Sequence, residues 1–380
     1  MAAVIDPADW KSLNGLRIAF IVPYPRHSAP SQHLKFEQYF AIFNSVGIDI
    51  THFPFMDEPF YKMVYRPGQT VEKIARTLAR GWRRFCDLRA LRRKADLVYL
   101  HLEAAPIPVT WFEDLLFASR MPVVYDIDDL VYLRHSSDTN RLMRWVSREK
   151  KIPTLIRRAT EVIVCTDYLR RYAETFNRRV TIISSTINTT AYRVDSTRYE
   201  RHDPLTVGWS GSVTTSGYLS ALAPILAKLQ KEIPFKFRLI GNPNGCLPGV
   251  VVEALPWRRE TEVPDLAKID IGLYPLPDEP WVMGKSGLKA LQYMGLGIPT
   301  IATDTPVNRT LISPGENGFL VRSHVEWEST LRSLLVAPMQ RKAIGMAGRK
   351  TVEERYSVGV TAPVYLSVLH RAVSQAAPAC

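Results

Sequence analysis

The sequence predicts an α/β fold built on parallel sheets in two domains. Short apolar runs, among them 16–22, 269–274 and 298–302, alternate with stretches of helical period. The 380 residues, 46% hydrophobic and 23% charged, suffice for two full cores. A polar, basic stretch without periodicity, 186–204, interrupts the alternation near the middle and reads as an interdomain linker.

In the first half, the run 16–22 follows the turn dipeptide Asn14-Gly15 and reads as a buried strand. In the loop behind it, Arg26, His27, Ser28, Ser31 and His33 are candidate phosphate or acceptor contacts, with a merely solvated loop as the plainer reading. A helix over 31–45 presents Leu34, Phe36, Tyr39, Phe40 and Phe43, and 48–53 is the next strand. Residues 71–94 carry nine Lys or Arg against Glu72 and Asp87. Val71, Ile74, Leu78, Trp82, Phe85, Leu88 and Leu91 recur there every three or four residues, which makes a basic amphipathic helix with Gly81 as its weak point. The period fits an apolar side packed on a sheet, and the basic face suits an anionic membrane surface. Strands are expected at 96–102 and 121–126, the second leading into Asp126, Asp128 and Asp129. Carboxylates placed so can hold a divalent metal, bind hydroxyls, or cap the next helix. Strands at 161–165 and 180–184 complete this half.

In the second half, a strand at 205–209 leads into Gly211, Ser212, Thr214 and Thr215 ahead of a helix from 216. Small polar residues at a helix start are a phosphate or sugar-hydroxyl site, or ordinary helix-entry chemistry. Strands follow at 237–241 and 250–255, then Trp257, Arg258 and Arg259. The most informative stretch is 270–304. It reads as a strand, a loop with Pro275, Pro277 and Pro280, a helix over 286–294 closed by Gly295 and Gly297, and a second strand. That sequence of elements is a parallel crossover. Lys285, Lys289 and Gln292, spaced four and three apart, would share one helix face. Open α/β sheets bind ligands beyond the carboxyl ends of their strands. There the free N–H groups, the helix dipole and Lys285 favour an anion such as phosphate, unless the two lysines only snorkel over the core edge. Helices over 325–336, 340–356 and 360–373 end the chain.

The run LQYMGLGIPTIATD resembles the donor-site signature of glycosyltransferase family 4, the group 1 enzymes with the GT-B fold. That fold has two Rossmann-like domains with parallel sheets facing a central cleft. Family members carry two glutamates eight positions apart in this signature; Gly284 stands in the place of the first and Gln292, within the run, in the place of the second. The YDIDD run ending at Asp129 is similar to a branch of the same family. The resemblance implies an acceptor-side domain over 1–195, a nucleotide-sugar domain over 196–357, and a final helix over 358–380 crossing back to the first. It implies a retaining, metal-independent glycosyltransferase, moving a sugar from a nucleotide-sugar donor to a glycan, lipid-linked or small-molecule acceptor hydroxyl. The donor is a substrate, and neither a cofactor nor a metal is expected. Gly211, Ser212, Thr214, Thr215, Gly284, Lys285, Ser286, Gly287, Lys289 and Gln292 would bind the donor. Lys285 would stabilise the leaving diphosphate, and Gln292 would hold the ribose. Asp126 and Asp128 would face the sugar or the acceptor.

Net charge is +12, which suits nucleic acid, an anionic membrane or phosphorylated small molecules. No nucleic-acid module is recognisable, which leaves the other two. No run of 18 apolar residues predicts a transmembrane helix, and the first residues lack a signal pattern. Cys86, Cys165, Cys246 and Cys380 are scattered and read as reduced thiols. A cytoplasmic protein is expected, peripheral on the inner face of the cytoplasmic membrane through 71–94. Three other readings fit parts of the pattern: a nucleotide-sugar epimerase of similar fold, a non-catalytic glycan-binding or scaffold protein, and a GT-A-type metal enzyme.

Overall fold

The computed structural model describes residues 7–64, 68–107, 109–128, 148–200 and 204–375. The chain forms two compact units, 1–184 with 361–380, and 185–360.

The first unit holds a six-stranded sheet: β1 (Arg17–Val22), β2 (Asp49–Pro54), β3 (Leu97–His101), β4 (Val123–Ile127), β5 (Glu161–Val164) and β6 (Val180–Ile182). Their order is β2-β1-β3-β4-β5-β6, and every pairing is parallel. Strands β1, β3, β4 and β5 are almost wholly buried, as continuous apolar runs in a covered parallel sheet must be. Phe20 of β1 packs on Phe36, Phe40 and Tyr99 at centroid distances of 5.5, 4.7 and 4.7 Å. The last helix, Val358–Ser374, gives its residues from 361 onward to this unit. Its Tyr365 lies 4.6 Å from the Tyr39 ring, and its Arg371 pairs with Glu161 at 3.0 Å.

Two expectations for this unit are corrected. The helix expected over 31–45 is broken into Pro30–His33, a 3-10 turn Glu37–Tyr39 and Phe40–Ser45. The buried Gln32 amide donates to the Tyr24 carbonyl at 3.2 Å and to Glu37 Oε1 at 3.1 Å. Polar side chains held to the preceding loop in this way compete with a regular helix. The basic helix spans Thr70–Lys94 as expected, but its exposed and buried faces are not the expected ones. Leu88 and Leu91 are buried, whereas Val71, Ile74, Leu78 and Trp82 stand in solvent. The side turned to the sheet carries Arg80 and Arg84. Arg84 donates to the Phe53 and Val22 carbonyls at 2.9 and 3.1 Å, and Arg80 to the Phe55 carbonyl at 2.6 Å. Carbonyls where β1 and β2 end have lone pairs that need donors, that of Val22 even after accepting the Phe55 N–H at 2.8 Å. Meeting that need turns the apolar stripe outward.

The second unit repeats the plan with β7 (Leu205–Ser210), β8 (Phe235–Ile240), β9 (Val252–Leu255), β10 (Ile271–Tyr274), β11 (Thr300–Thr303) and β12 (Phe319–Val321). The order is β12-β11-β10-β7-β8-β9, again all parallel. Strand β12 was not expected from the sequence. The stretch expected as a linker is instead built into this unit. Ile187, Tyr192 and Tyr199 are buried, and Tyr199 donates its hydroxyl to the Gly297 carbonyl at 2.5 Å. The polar and basic residues between Tyr192 and Tyr199 follow no helical or strand period, so the sequence hid the burial of these rings. No described helix is long and apolar enough to cross a membrane.

Candidate functional site

In the second sheet the strand order reverses between β7 and β10, and open α/β sheets bind ligands beyond the carboxyl ends of their strands at such a point. From β7 comes the loop after Ser210. It stays thin because Gly211 and Gly241 bring two backbones together. A Cβ on Gly241, whose φ is +106°, would overlap the Gly211 carbonyl oxygen, and one on Gly211 would overlap the Trp209 ring. The Gly211 N–H donates to the Ile240 carbonyl at 2.9 Å and the Gly241 N–H to that of Leu255 at 2.7 Å. The exposed tip is held by its own hydroxyls. Ser212 N–H donates to Thr215 Oγ1 at 3.0 Å, and Ser212 Oγ lies 2.8 Å from Thr214 Oγ1. The helix expected from 216 begins as a 3-10 segment, Ser216–Leu222, and becomes α-helical only over Ala223–Glu232.

From β10 comes a loop ending in the 3-10 helix Pro280–Gly284, followed by Lys285, Ser286 and Gly287. Trp281 of this loop stacks at 5.6 Å on Tyr218 of the 3-10 segment that follows the β7 loop, and Lys285 Nζ lies 5.2 Å over the Trp281 ring. The two candidate loops are therefore brought together through an aromatic pair that sequence reasoning missed. Trp281 lay in a proline-flanked run, which was its one signal. The Ser286 hydroxyl is 2.6 Å from that of Ser185.

The next helix is Leu288–Gly295, two residues later at its start than expected. Gly287 precedes it in the left-handed region, φ 72°, where a Cβ would also overlap Leu311. No side chain caps this start, so its first N–H groups have no intrahelical partner. Lys285 consequently stands before the helix rather than on it. The expected stripe reduces to Lys289 and Gln292. Lys289 Nζ lies 5.8 Å from the Trp209 ring. Tyr293, buried on the same helix, accepts the Ser210 N–H at 2.8 Å and ties the helix to the end of β7.

Gln292 is buried, and its amide nitrogen donates to Tyr192 Oη at 2.9 Å and to Glu262 Oε1 at 3.1 Å. Glu262 also accepts from Trp257 Nε1 at 3.1 Å. Burial raises the Glu262 carboxyl above its ordinary value, against the lowering pull of these two donors and of Arg259. Burial likewise pushes the Tyr192 hydroxyl up. Gln292 is thus a member of an internal network and not an exposed contact. Glu262 and Tyr192 were not singled out by the sequence.

In the first unit, Asp126 lies at the end of β4 with no exposed surface. Its Oδ2 is 2.9 Å from His101 Nδ1, and its Oδ1 is 2.6 Å from Lys35 Nζ. Lys35 also reaches Asp128 at 3.8 Å and donates to the Ile127 carbonyl at 3.2 Å. Burial opposes charge on both Asp126 and Lys35, yet each holds the other ionised: the Asp126 carboxyl stays below its usual value and the Lys35 ammonium above its own. Asp126, expected to face the sugar or the acceptor, is held here by Lys35 and His101 with no exposed surface. Asp128 is partly exposed, and Asp129 lies outside the described residues. In the loop after β1, His27 has φ 68° and donates its N–H to buried Glu37 at 2.9 Å; Arg26 is exposed and His33 buried. Among the described residues no group of three His, Cys, Asp or Glu side chains is arranged to hold a metal.

Residues 204–336 match the family of glycosyl transferases group 1. No curated protein matches the chain. Among solved structures, sucrose-phosphate synthase from Thermosynechococcus elongatus is similar at 15% identity and a TM-score of 0.63, over 95% of this chain and all of that one. A glycosyltransferase from Rickettsia africae is similar at 12% identity and a TM-score of 0.64, over 97% of this chain and all of that one. HepE of Anabaena, solved with UDP and glucose, is similar at 13% identity and a TM-score of 0.60, over 93% and 100%. The match across the second unit, joined to two parallel six-stranded sheets with Rossmann-like connections, bears out the resemblance to the group 1 glycosyltransferases and shows the GT-B fold.

Proposed function

We propose that this protein transfers a sugar, with retention and without a metal, from a nucleotide-sugar donor to a hydroxyl of a glycan, lipid-linked or small-molecule acceptor. The observation that carries the reading is the group of residues at the strand-order reversal of the second sheet. There Lys285 lies over Trp281, which stacks on Tyr218 just after the small-residue loop 211–215, and an uncapped helix start follows Lys285. Cations and free backbone N–H groups so placed favour a diphosphate. Structures similar in fold support the donor class: HepE was solved with UDP-glucose, and TarM with UDP and a GlcNAc-glycerol.

In this reading the bond between the anomeric carbon and the diphosphate oxygen breaks, and charge grows on the departing oxygen. Lys285 and the amides of residues 288 and 289 stabilise that charge. The acceptor oxygen bonds to the anomeric carbon, and its proton passes to the departing diphosphate. Gln292 acts through Glu262 and Tyr192 to shape the wall beneath the ribose. Asp128, Lys35 and the loop after β1 belong to the acceptor side, with Asp126 and His101 as positioning residues.

Thermal-shift titration with nucleoside diphosphates and their sugars tests the donor site, since a ligand at 100 times its Kd stabilises by about 2.7 kcal/mol. Lys285→Ala is expected to lower kcat by roughly 100-fold, because leaving-group charge is greatest in the transition state. Activity is expected to survive a chelator. Absence of any nucleotide binding would remove the enzyme reading in favour of a glycan-binding or scaffold role. Turnover of a nucleotide sugar without an acceptor, the sugar remaining on its nucleotide, would replace transfer by epimerisation.

A further inference from the structure

The helix Thr70–Lys94 leaves large apolar side chains in water. Val71 is 81% exposed, Ile74 55%, Leu78 69% and Trp82 70%. They follow one another by three or four residues and so form a single stripe along about 17 Å of the helix. Phe85 extends the stripe, its ring 5.7 Å from that of Trp82. The stripe lies away from the buried Arg84, Leu88 and Leu91, so the sheet does not use it. A second exposed tryptophan, Trp111 at 73%, opens the neighbouring helix Trp111–Ala118. Phe112 beside it approaches Gly81 of the basic helix. An apolar stripe of this size is unusual on a protein surface and marks a place where something docks.

The charge around the stripe decides what docks. Arg83, Arg89, Arg92, Arg93 and Lys94 are all exposed, and Arg89 lies 4.9 Å over the Phe85 ring at the end of the stripe. Glu72 is already paired with Arg76 at 3.1 Å. Apolar residues that include tryptophan, continued along the same line by arginines, match a lipid surface. The rings enter the boundary between headgroups and acyl chains, and the cations meet anionic headgroups. A second copy of this chain would bring the same arginines opposite these, so like charges would face one another. We propose that this face of the first unit docks on an anionic lipid surface, with Leu78 and Trp82 inserted and Arg83 and Arg89 on the headgroups. The proposal goes beyond the sugar-transfer reading and stands on a different unit, so it survives or fails independently of it.

Co-sedimentation of the full chain with vesicles tests it. Binding is expected to phosphatidylcholine vesicles carrying about one third phosphatidylglycerol, and to weaken as salt rises from about 0.1 to about 0.5 M. L78E/W82E and R83E/R89E are each expected to weaken that binding at least ~10-fold. Both pairs are exposed, so the thermal midpoint is expected to stay within a few degrees of the parent. Three results would overturn the proposal. One is equal, salt-insensitive binding to neutral and anionic vesicles. Another is variants that sediment like the parent. The last is a dimer of the parent that L78E/W82E dissociates, with no vesicle binding by either, which would give the face to a second copy.

Discussion

Asp126 and Lys35 form an ion pair with neither charge exposed to water. Such a pair contributes little net stability as a pair, but removing one partner strands the other. Asp126→Ala is therefore expected to destabilise the first unit by about 3–5 kcal/mol, read from urea unfolding, while Asp126→Ala with Lys35→Met recovers most of that loss. Glu262 behaves differently, because burial raises its carboxyl from an ordinary 4.5. As pH climbs from that value the unfolded chain gives up the proton while the folded one keeps it. The unfolded state is then favoured, and stability falls with rising pH until the folded carboxyl ionises too. Glu262→Gln keeps an acceptor for Trp257 and Gln292 and has no proton to lose. Its thermal midpoint, followed from pH 4 to 8 beside that of the parent, is expected to lack this decline. The same contact explains why an amide occupies position 292. A glutamate there would set a second carboxylate about 3 Å from Glu262, and two like charges at that distance cannot both ionise.

Among the elements, the loop between β7 and the 3-10 helix Ser216–Leu222 depends on two glycines more than on its hydroxyls. Gly241→Ala combines φ +106° with overlap of the Gly211 carbonyl oxygen, and neither backbone has room to yield. A loss of about 1–3 kcal/mol is expected, together with weaker nucleoside diphosphate binding, since the loop would be pushed toward Trp281. Calorimetry on the variant measures both. At this scale the strands were well legible: eleven of the twelve were marked, most plainly β1, β3, β4 and β5, because strands buried on both faces read as near-continuous apolar runs. Helix starts were less so. The shift from 286 to 288 follows from Gly287, whose left-handed backbone ends one segment and begins the next, and a glycine in a sequence does not announce the sign of its φ. The outward stripe of Thr70–Lys94 was illegible for another reason. Periodicity shows that apolar residues share a face, and says nothing of whether arginines have a stronger claim on the sheet. Lys285 and Gln292 could be picked out by spacing and resemblance, whereas Trp281, Tyr218, Glu262 and His101 meet their partners only through the fold.

At the level of the whole molecule, the first unit is not continuous in the chain. Its core includes Tyr365, Leu366, Leu369 and Ala372, all buried, and Glu161 is paired with Arg371. Removing residues 361–380 is expected to expose Tyr39, Phe43 and Tyr99 and to unfold the first unit, while 185–360 keeps its own cooperative transition. Two calorimetric transitions in the parent, with the loss of one on truncation, would show this.

That discontinuity has a consequence for biosynthesis. A ribosome makes 1–184 first and 361–380 last, so the opening half waits through the translation of the entire second unit for its final helix. At about 5–20 residues per second the wait is on the order of ten to forty seconds. During it the aromatic surface around Tyr39 and Tyr99 has no cover from its own chain, and holdase chaperones have their longest opportunity to bind. Slow synthesis, which helps proteins whose domains mature one after another, would here only prolong the interval before closure.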